Sequence, residues 1–357
     1  MKLQKVEFRN HKILRDLEIN FCDEKGSPLN TIVIIGENGS GKTNLLKSIY
    51  ETFNADIKGY RIISELLINM NYKKCTVFVN LDKSEEGILD PNILPIPCQL
   101  DKHHPKLVYM PTEINFEKMN KVDNTFRFMP DLINIIDQSV TENIPSIIAT
   151  KINKEIFKNR NEIIGTIIDR VCKSINDIFV SMEMDVNLIG LSEDEDTKPI
   201  FKNKFGELFD ISGLSSGEKQ LFLRALSLKF LEVNNSIILI DEPEISLHPR
   251  WQQKIIKVYE NIGENNQIVI ATHSPHIVGD IEAKQLRIMK KSEDGIAVVK
   301  LGELDETYGQ NVESILRTTM QVDKVRNEDI SNKLDEIFTL LNADLYDTDE
   351  FKDTHLC

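Results

Sequence analysis

No apolar run in the 357-residue chain is long enough to cross a bilayer; Ile237 to Ile240 is typical, far below the roughly 20 residues a membrane helix needs. The opening MKLQKVEF holds neither an apolar segment nor a small-residue cleavage site, so a signal peptide is not expected. The five cysteines (Cys22, Cys75, Cys98, Cys172, Cys357) are odd in number and form no CxxC pair. That speaks against a zinc site and a disulfide framework and for reduced thiols in a cytoplasmic protein. Basic residues are outnumbered, 43 Lys and Arg against 57 Asp and Glu, for a net charge of -14. Any contact with DNA therefore has to come from a local basic patch. There is no internal repeat and no low-complexity tract. What remains is ordinary globular composition, 41% hydrophobic and 28% charged. The length allows a sizeable core and two to three domains, or one composite one.

Hydrophobic patterning predicts strands at 3–8 and 14–21 joined by a turn at Arg9-Asn10-His11, and a buried strand at 31–35 that stops at Gly36. Further strands are expected at 75–81, 106–110, 184–190, 205–211, 236–240 and 266–271. Pro91, Pro95 and Pro97 predict a loop. Ile164, Ile168, Val171, Ile175 and Ile178 recur at helical spacing, and helices are expected at 217–232, 250–262 and about 328–342. Strands alternating with helices imply an α/β fold with a mixed, mainly parallel sheet. The expected division is 1–125 and 184–300 as two parts of one core, 126–183 as a helical insertion and 301–357 as a helical C-terminal tail.

GENGSGKT at 36–43 fits G-x-x-x-x-G-K-[ST] between a strand and a helix. Its glycines let backbone N–H groups face phosphate oxygens, and the helix N-terminus adds positive potential. Gly36, Glu37, Asn38, Gly39, Ser40, Gly41, Lys42, Thr43 and Asn44 are thus the expected ATP-binding residues. Lys42 would neutralise phosphate, and the Thr43 hydroxyl would ligate Mg2+. SIILIDEPE at 236–244 is an apolar strand ending in two acids. Asp241 is a candidate for Mg2+ and Glu242 for the base that takes a proton from water. His273, in ATHSP, follows another strand and is a candidate hydrogen-bond partner of a γ-phosphate. Ser215 and Gly217, in GLSSGEKQ, read by themselves as a helix N-cap.

Leu214-Ser215-Ser216-Gly217-Glu218 resembles the signature of ABC-type ATPases, and GENGSGKT, LSSGEKQ, DEPEISLHP and ATHSP stand in that family's order. The DEPE-x-x-LHP form is similar to the RecF, SMC-like and OLD branch rather than to transporters. QKVEFRNHKIL also resembles that branch, with His11 where an aromatic is usual. The layout resembles small bacterial antiphage-defence ATPases of the Septu PtuA-like and PARIS kinds. Thr307 to Val312 with Ile315-Leu316 resembles a segment that follows the core in that group, read as a tail on its own core or as a dock for a subunit or partner.

The resemblance implies a P-loop ABC-type ATPase core that uses ATP and Mg2+. Two chains would form a homodimer on ATP binding, with a higher oligomer open. Ser215, Ser216, Gly217 and Glu218 of one chain would face the nucleotide on the other. It also implies a separately encoded effector such as an HNH-type nuclease, DNA as a candidate substrate, and no membrane. A RecF-like DNA-repair clamp is the alternative. A transporter subunit and an ATP-binding scaffold without turnover are weaker readings. The family's glutamine loop falls between about 75 and 115; Gln99 is a candidate but stays unassigned. No OLD-type nuclease domain is expected in 301–357, and Asp347-Thr348-Asp349 reads as a solvated tail. Lys102 to Lys106 and the basic residues Lys151, Lys154, Lys158 and Arg160 read as solvated, and Trp251 as core.

Overall fold

The computed structural model describes residues 2–8, 11–54, 65–70, 73–78, 105–112, 114, 119, 121–126, 128, 130, 133–292, 295–298, 307–320 and 328–342. Gln99, the prolines at 91–97, residues 102–104 and Asp347 to Asp349 lie outside them. The chain opens with β1 (Lys5–Glu7), β2 (Glu18–Asn20) and β3 (Thr31–Gly36), then α1 (Lys42–Asn54). β4 (Glu65–Met70) and β5 (Lys73–Phe78) form an antiparallel hairpin, followed by β6 (Leu107–Met110) and β7 (Ile133–Ile135). Next come α2 (Gln138–Thr141), α3 (Ile144–Lys158) and α4 (Ile164–Asn176), then β8 (Val186–Leu191), β9 (Pro199–Asn203) and β10 (Leu208–Asp210). α5 (Ser216–Phe230), β11 (Ile237–Asp241), α6 (Pro249–Gln252), α7 (Ile255–Glu260) and β12 (Gln267–Ala271) complete the centre. α8 (Pro275–Val278), β13 (Leu286–Ser292), β14 (Gly295–Val298), α9 (Val312–Thr318) and α10 (Glu328–Asn342) follow.

The main sheet has the order β14-β13-β3-β12-β11-β6-β7. Its six strands from β13 to β7 run parallel, and β14 alone is antiparallel. Both faces are covered, which is why the inner strands read as unbroken apolar runs. Val33, Ile35, Ile238, Ile240, Ile268 and Ile270 join one core cluster with α5 and the insertion helices. Ile32, Ile34, Ile237, Leu239, Val269 and Ala271 join the other with α1, β1 and β2. The period of two along each strand divides one sheet between two cores.

Several expected elements differ in extent. The strand expected over 14–21 is only Glu18–Asn20. His11 Nδ1 accepts from the amides of Ile13 and Leu14, and Arg15 has a φ of 55°, so the turn extends into that stretch. The block 126–183, expected to be helical, contributes an edge strand, β7, to the main sheet. Strand β9 was not anticipated; it pairs with β8 and β10 across the acidic turn at 192–197. The helix expected over 250–262 is two short helices, because Lys254 turns its amide back to the Trp251 carbonyl. Among the described residues no helix is long and apolar enough to cross a membrane.

The insertion is joined to α5 by aromatic contacts. Phe222 of α5 stacks on Phe179 at 5.3 Å and meets Phe201 of β9 edge-on at 4.9 Å between ring centroids. Trp251 donates its indole N–H to the Met182 carbonyl at 3.1 Å, which fixes it as packing.

The turn into β12 is tight. Gly263 has a φ of 76°, and a Cβ there would stand 1.7 Å from the Val233 carbonyl oxygen. Gly263→Ala is expected to lower unfolding stability by about 2–4 kcal/mol, from the left-handed backbone and the collision together. Urea unfolding of the purified variant checks this; a loss below the level of an ordinary surface change contradicts it.

Candidate functional site

Three parallel strands end side by side. Asp241 of β11 pairs with Ala271 of β12, and Ala271 with Ile34 of β3. Glu242 then donates its amide to the Ala271 carbonyl at 2.8 Å, and Thr272 donates to Ile34 at 3.0 Å. The phosphate-type loop, the acid pair and the residues before His273 therefore leave one carboxyl edge of the sheet together, the usual place for a ligand in such folds.

The loop is shaped by close approach. A Cβ on Gly36 would lie 2.3 Å from the Met289 carbonyl oxygen and 2.7 Å from Ser40 Oγ. Gly41, with a φ of 93°, would meet Leu14 and Ile296 at 2.9 Å. The Lys42 ammonium donates to the carbonyls of Gly36 at 2.8 Å and Glu37 at 3.2 Å. Burial lowers its pKa, and Glu242, Asp241 and Glu244 oppose that. Glu37, Asn38 and Gly39 form the exposed rim, and Thr43 lies exposed in the first turn of α1, with Asn44 beside it.

Asp241 is 1% exposed. Its Oδ2 accepts from the Thr112 hydroxyl at 2.8 Å, whereas Oδ1 has no hydrogen-bond partner among the described residues. Glu242 has a φ of 46°, a left-handed backbone that a non-glycine residue keeps only where its surroundings demand it. Its carboxyl pKa is raised, by desolvation first and then by Asp241, while Lys42 lowers it. Glu242 Oε1 stands 3.7 Å from His273 Nε2. Burial and then Lys42 lower the imidazole pKa, which favours the neutral ring.

Glu244 was not singled out from the sequence as a site residue. Its Oε1 accepts from Thr272 Oγ1 and the His273 amide, both at 2.7 Å, and so holds the loop that carries His273. Thr112 and Arg224 were missed as well. No local motif marks them; their partners lie more than a hundred residues away in the chain.

Ser215 caps α5 in a full capping box. Its hydroxyl accepts from the Glu218 amide, and the Glu218 carboxylate accepts from the Ser215 amide at 2.9 Å and hydroxyl at 2.6 Å. These bonds are local; among the described residues none of them reaches 36–43. Ser215 and Ser216 are exposed, and Gly217 is buried against the turn after the acid pair.

These groups suit a polyphosphate with a divalent cation. Ser40 Oγ is buried without a partner among the described residues, Lys42 rests on two carbonyls, and one oxygen of Asp241 is left over. Lys42 can meet the phosphates, and Thr43 with Asp241 can hold the metal.

Residues 76–279, more than half of the chain, match the family described as "AAA domain, putative AbiEii toxin, Type IV TA system". The chain belongs to this family of AAA domains. The matched span contains Ser215 to Glu218, Asp241, Glu242 and His273; the loop at 36–43 precedes it. The chain is 23% identical to the "Retron Vc95 probable ATPase" of Vibrio cholerae serotype O1 biovar El Tor, over 98% of this chain and 87% of that one. It is 22% identical to the Septu protein PtuA of Bacillus mycoides, over 88% of this chain and 44% of that one. The chain thus spans less than half of that Septu relative. The solved SMC head bound to the C-winged helix domain of ScpA aligns with a TM-score of 0.49 at 16% identity, over 84% of this chain and 98% of that one.

A methyl at position 217 would meet the Ser246 carbonyl oxygen at 2.7 Å. Glycine to alanine inside a helix ordinarily gains about 1 kcal/mol. Here Gly217→Ala is expected to lose about 1–3 kcal/mol instead, because backbone must shift. Denaturant midpoints of Gly217→Ala and of the exposed control Ser216→Ala decide; a stabilised Gly217→Ala contradicts the contact.

Proposed function

We propose that this chain binds ATP with Mg2+ on residues 36–44, hydrolyses it, and works as a dimeric switch of the RecF, SMC and OLD type. The carrying observation is one buried ammonium, Lys42, facing Asp241, Glu242 and Glu244 where β3, β11 and β12 end. In this reading 1–125 and 184–300 form the nucleotide-binding core, 126–183 an insertion and 301–357 an appendage. Membership of an AAA family and similarity to a retron ATPase support the chemistry. Similarity to a retron protein and to Septu PtuA supports a role in antiphage defence, which we read as cytoplasmic and exerted through a separately encoded effector. A nuclease of HNH type is the effector class we favour, with DNA its target.

Lys42 leaves the carbonyls of Gly36 and Glu37 for phosphate oxygens, and the amides of the loop take the remaining charge. Thr43 and Asp241 would hold a Mg2+ ion, which when bound would supply positive charge beside the phosphates. Glu242 takes the proton of the attacking water. Its raised pKa makes it a better base than a solvated carboxylate, at the cost of protonation at less acidic pH. Neutral His273 can hydrogen-bond the γ-phosphate. Ser215, Ser216, Gly217 and Glu218 of a second copy would close the open side and exclude water.

Lys42→Ala is expected to weaken ATP binding at least tenfold in calorimetric titration with Mg2+, since about 1.4 kcal/mol of lost charge interaction already gives that factor. Unchanged affinity sinks the loop as the site.

Glu242→Gln should keep ATP binding, lose turnover and accumulate ATP-bound dimers in sedimentation. In the wild type, activity requires the deprotonated acid. Turnover should therefore fall as pH drops through a value above that of an ordinary solvated glutamate, since the Glu242 pKa is raised. A variant that stays monomeric at saturating ATP contradicts the switch, and an acid limb at an ordinary carboxylate pKa contradicts the base.

A further inference from the structure

Arg224 lies in the middle of α5, 1% exposed. One of its terminal nitrogens donates to the carbonyls of Pro111 at 3.1 Å and Thr112 at 3.0 Å, immediately after β6. The guanidinium also lies near Tyr259, Asp241 and Glu244, whose charges only partly offset its burial, and its Nε and second terminal nitrogen have no hydrogen-bond partner among the described residues. A buried arginine this close to the acid pair is costly to keep unless its position is used or fully compensated.

Thr112 continues the chain of contacts. Its backbone oxygen is held by Arg224, and its hydroxyl holds Asp241 Oδ2 at 2.8 Å. With Oδ2 held by this bond, Oδ1, unpartnered among the described residues, is the oxygen that would be offered to a metal. Second contacts of this kind orient metal-binding carboxylates and set their affinity.

We propose that Thr112 and Arg224 act as one positioning pair that aims Asp241 at Mg2+ and ties that aim to the signature helix. The proposal rests on the reading of 36–44 and Asp241 as an ATP and Mg2+ site. Arg224 stands nine residues beyond Ser215, about 13.5 Å along a rigid helix. A displacement of the Ser215 end by a second copy therefore moves Arg224, then the 111–112 carbonyls, then the Asp241 carboxylate. Engagement at one nucleotide is felt at the metal ligand of the other.

The test is calorimetric titration of the full chain with ATP, in Mg2+ and in EDTA, for wild type, Thr112→Val, Arg224→Met and the double variant. Melting of each nucleotide-free protein reports its fold. The wild type should bind ATP more tightly with Mg2+. Each single variant should lose about tenfold of that Mg2+ advantage, with affinity in EDTA held within about twofold. The double variant should lose no more than the worse single, because both act through one carboxylate. Thr112→Ser, which keeps the hydroxyl, should restore the advantage.

An undiminished Mg2+ advantage in folded Thr112→Val overturns the proposal, and so do losses that multiply in the double variant. If Arg224→Met does not fold, Thr112→Val and Thr112→Ser decide alone on the same criterion. Failure of the wild type to bind ATP under either condition overturns the nucleotide reading and this proposal with it. Intact binding with an indifferent Thr112 overturns only the latter.

Discussion

Lys42 brings a positive charge to a place where it is 5% exposed, and the surrounding structure is organised around that charge. A buried ammonium is tolerated only where acceptors and opposite charges meet it. Two carbonyls of its own loop do so directly, and three carboxylates contribute at longer range. In the proposed ATP complex Lys42 would exchange these carbonyls for phosphate oxygens. The carboxylates are in range only because β11 and β12 run parallel to β3 and end in register with it. Six parallel strands with both faces buried thus have a direct electrostatic consequence. They deliver acid, base and cation to one edge without an intervening turn.

The same edge holds its groups in forms suited to catalysis near neutral pH. Desolvation raises the Glu242 pKa and lowers that of His273, and the neighbouring charges only partly reverse these shifts. The neutral ring is favoured, so the 3.7 Å contact adds orientation without a second buried ion pair. The left-handed backbone at Glu242 fits this picture. Its amide stays in the sheet ladder through Ala271 while its side chain turns toward His273.

Much of this was legible in the sequence because local chemistry allows few substitutes. Only glycine fits where Met289 and Ser40 crowd position 36, and the apolar run at 236–240 followed by two acids marks where a buried strand ends, although such acids by themselves read equally well as solvated. The elements that were missed lack a local signal. β7 is three half-buried residues at a sheet edge, too short for any period. The break between α6 and α7 is a backbone turn inside an apparently continuous helical pattern. Thr112, Arg224 and Glu244 are ordinary residue types in ordinary settings. Their importance comes from the packing of α5, β6 and β11, which no spacing along the chain encodes.

The N-cap reading of Ser215 is met by the structure, and it is compatible with the proposed contact to a partner's nucleotide. A helix N-terminus has four amides without internal partners. The capping box satisfies those of Ser215 and Glu218 and fixes the serine outward. The amides of Ser216 and Gly217 have no internal acceptor among the described residues, and the close contact of Gly217 with Ser246 pins this turn to the loop that follows Asp241 and Glu242. In the proposed dimer the cap would hold this terminus rigid, and an anion from outside the chain would suit its remaining amides. Among the described residues the groups of the cap form no bond to the chain's own phosphate-type loop. In the proposed dimer, the partner's nucleotide is the group of matching charge, and the glycine contact carries its arrival back to the acid pair in the same chain.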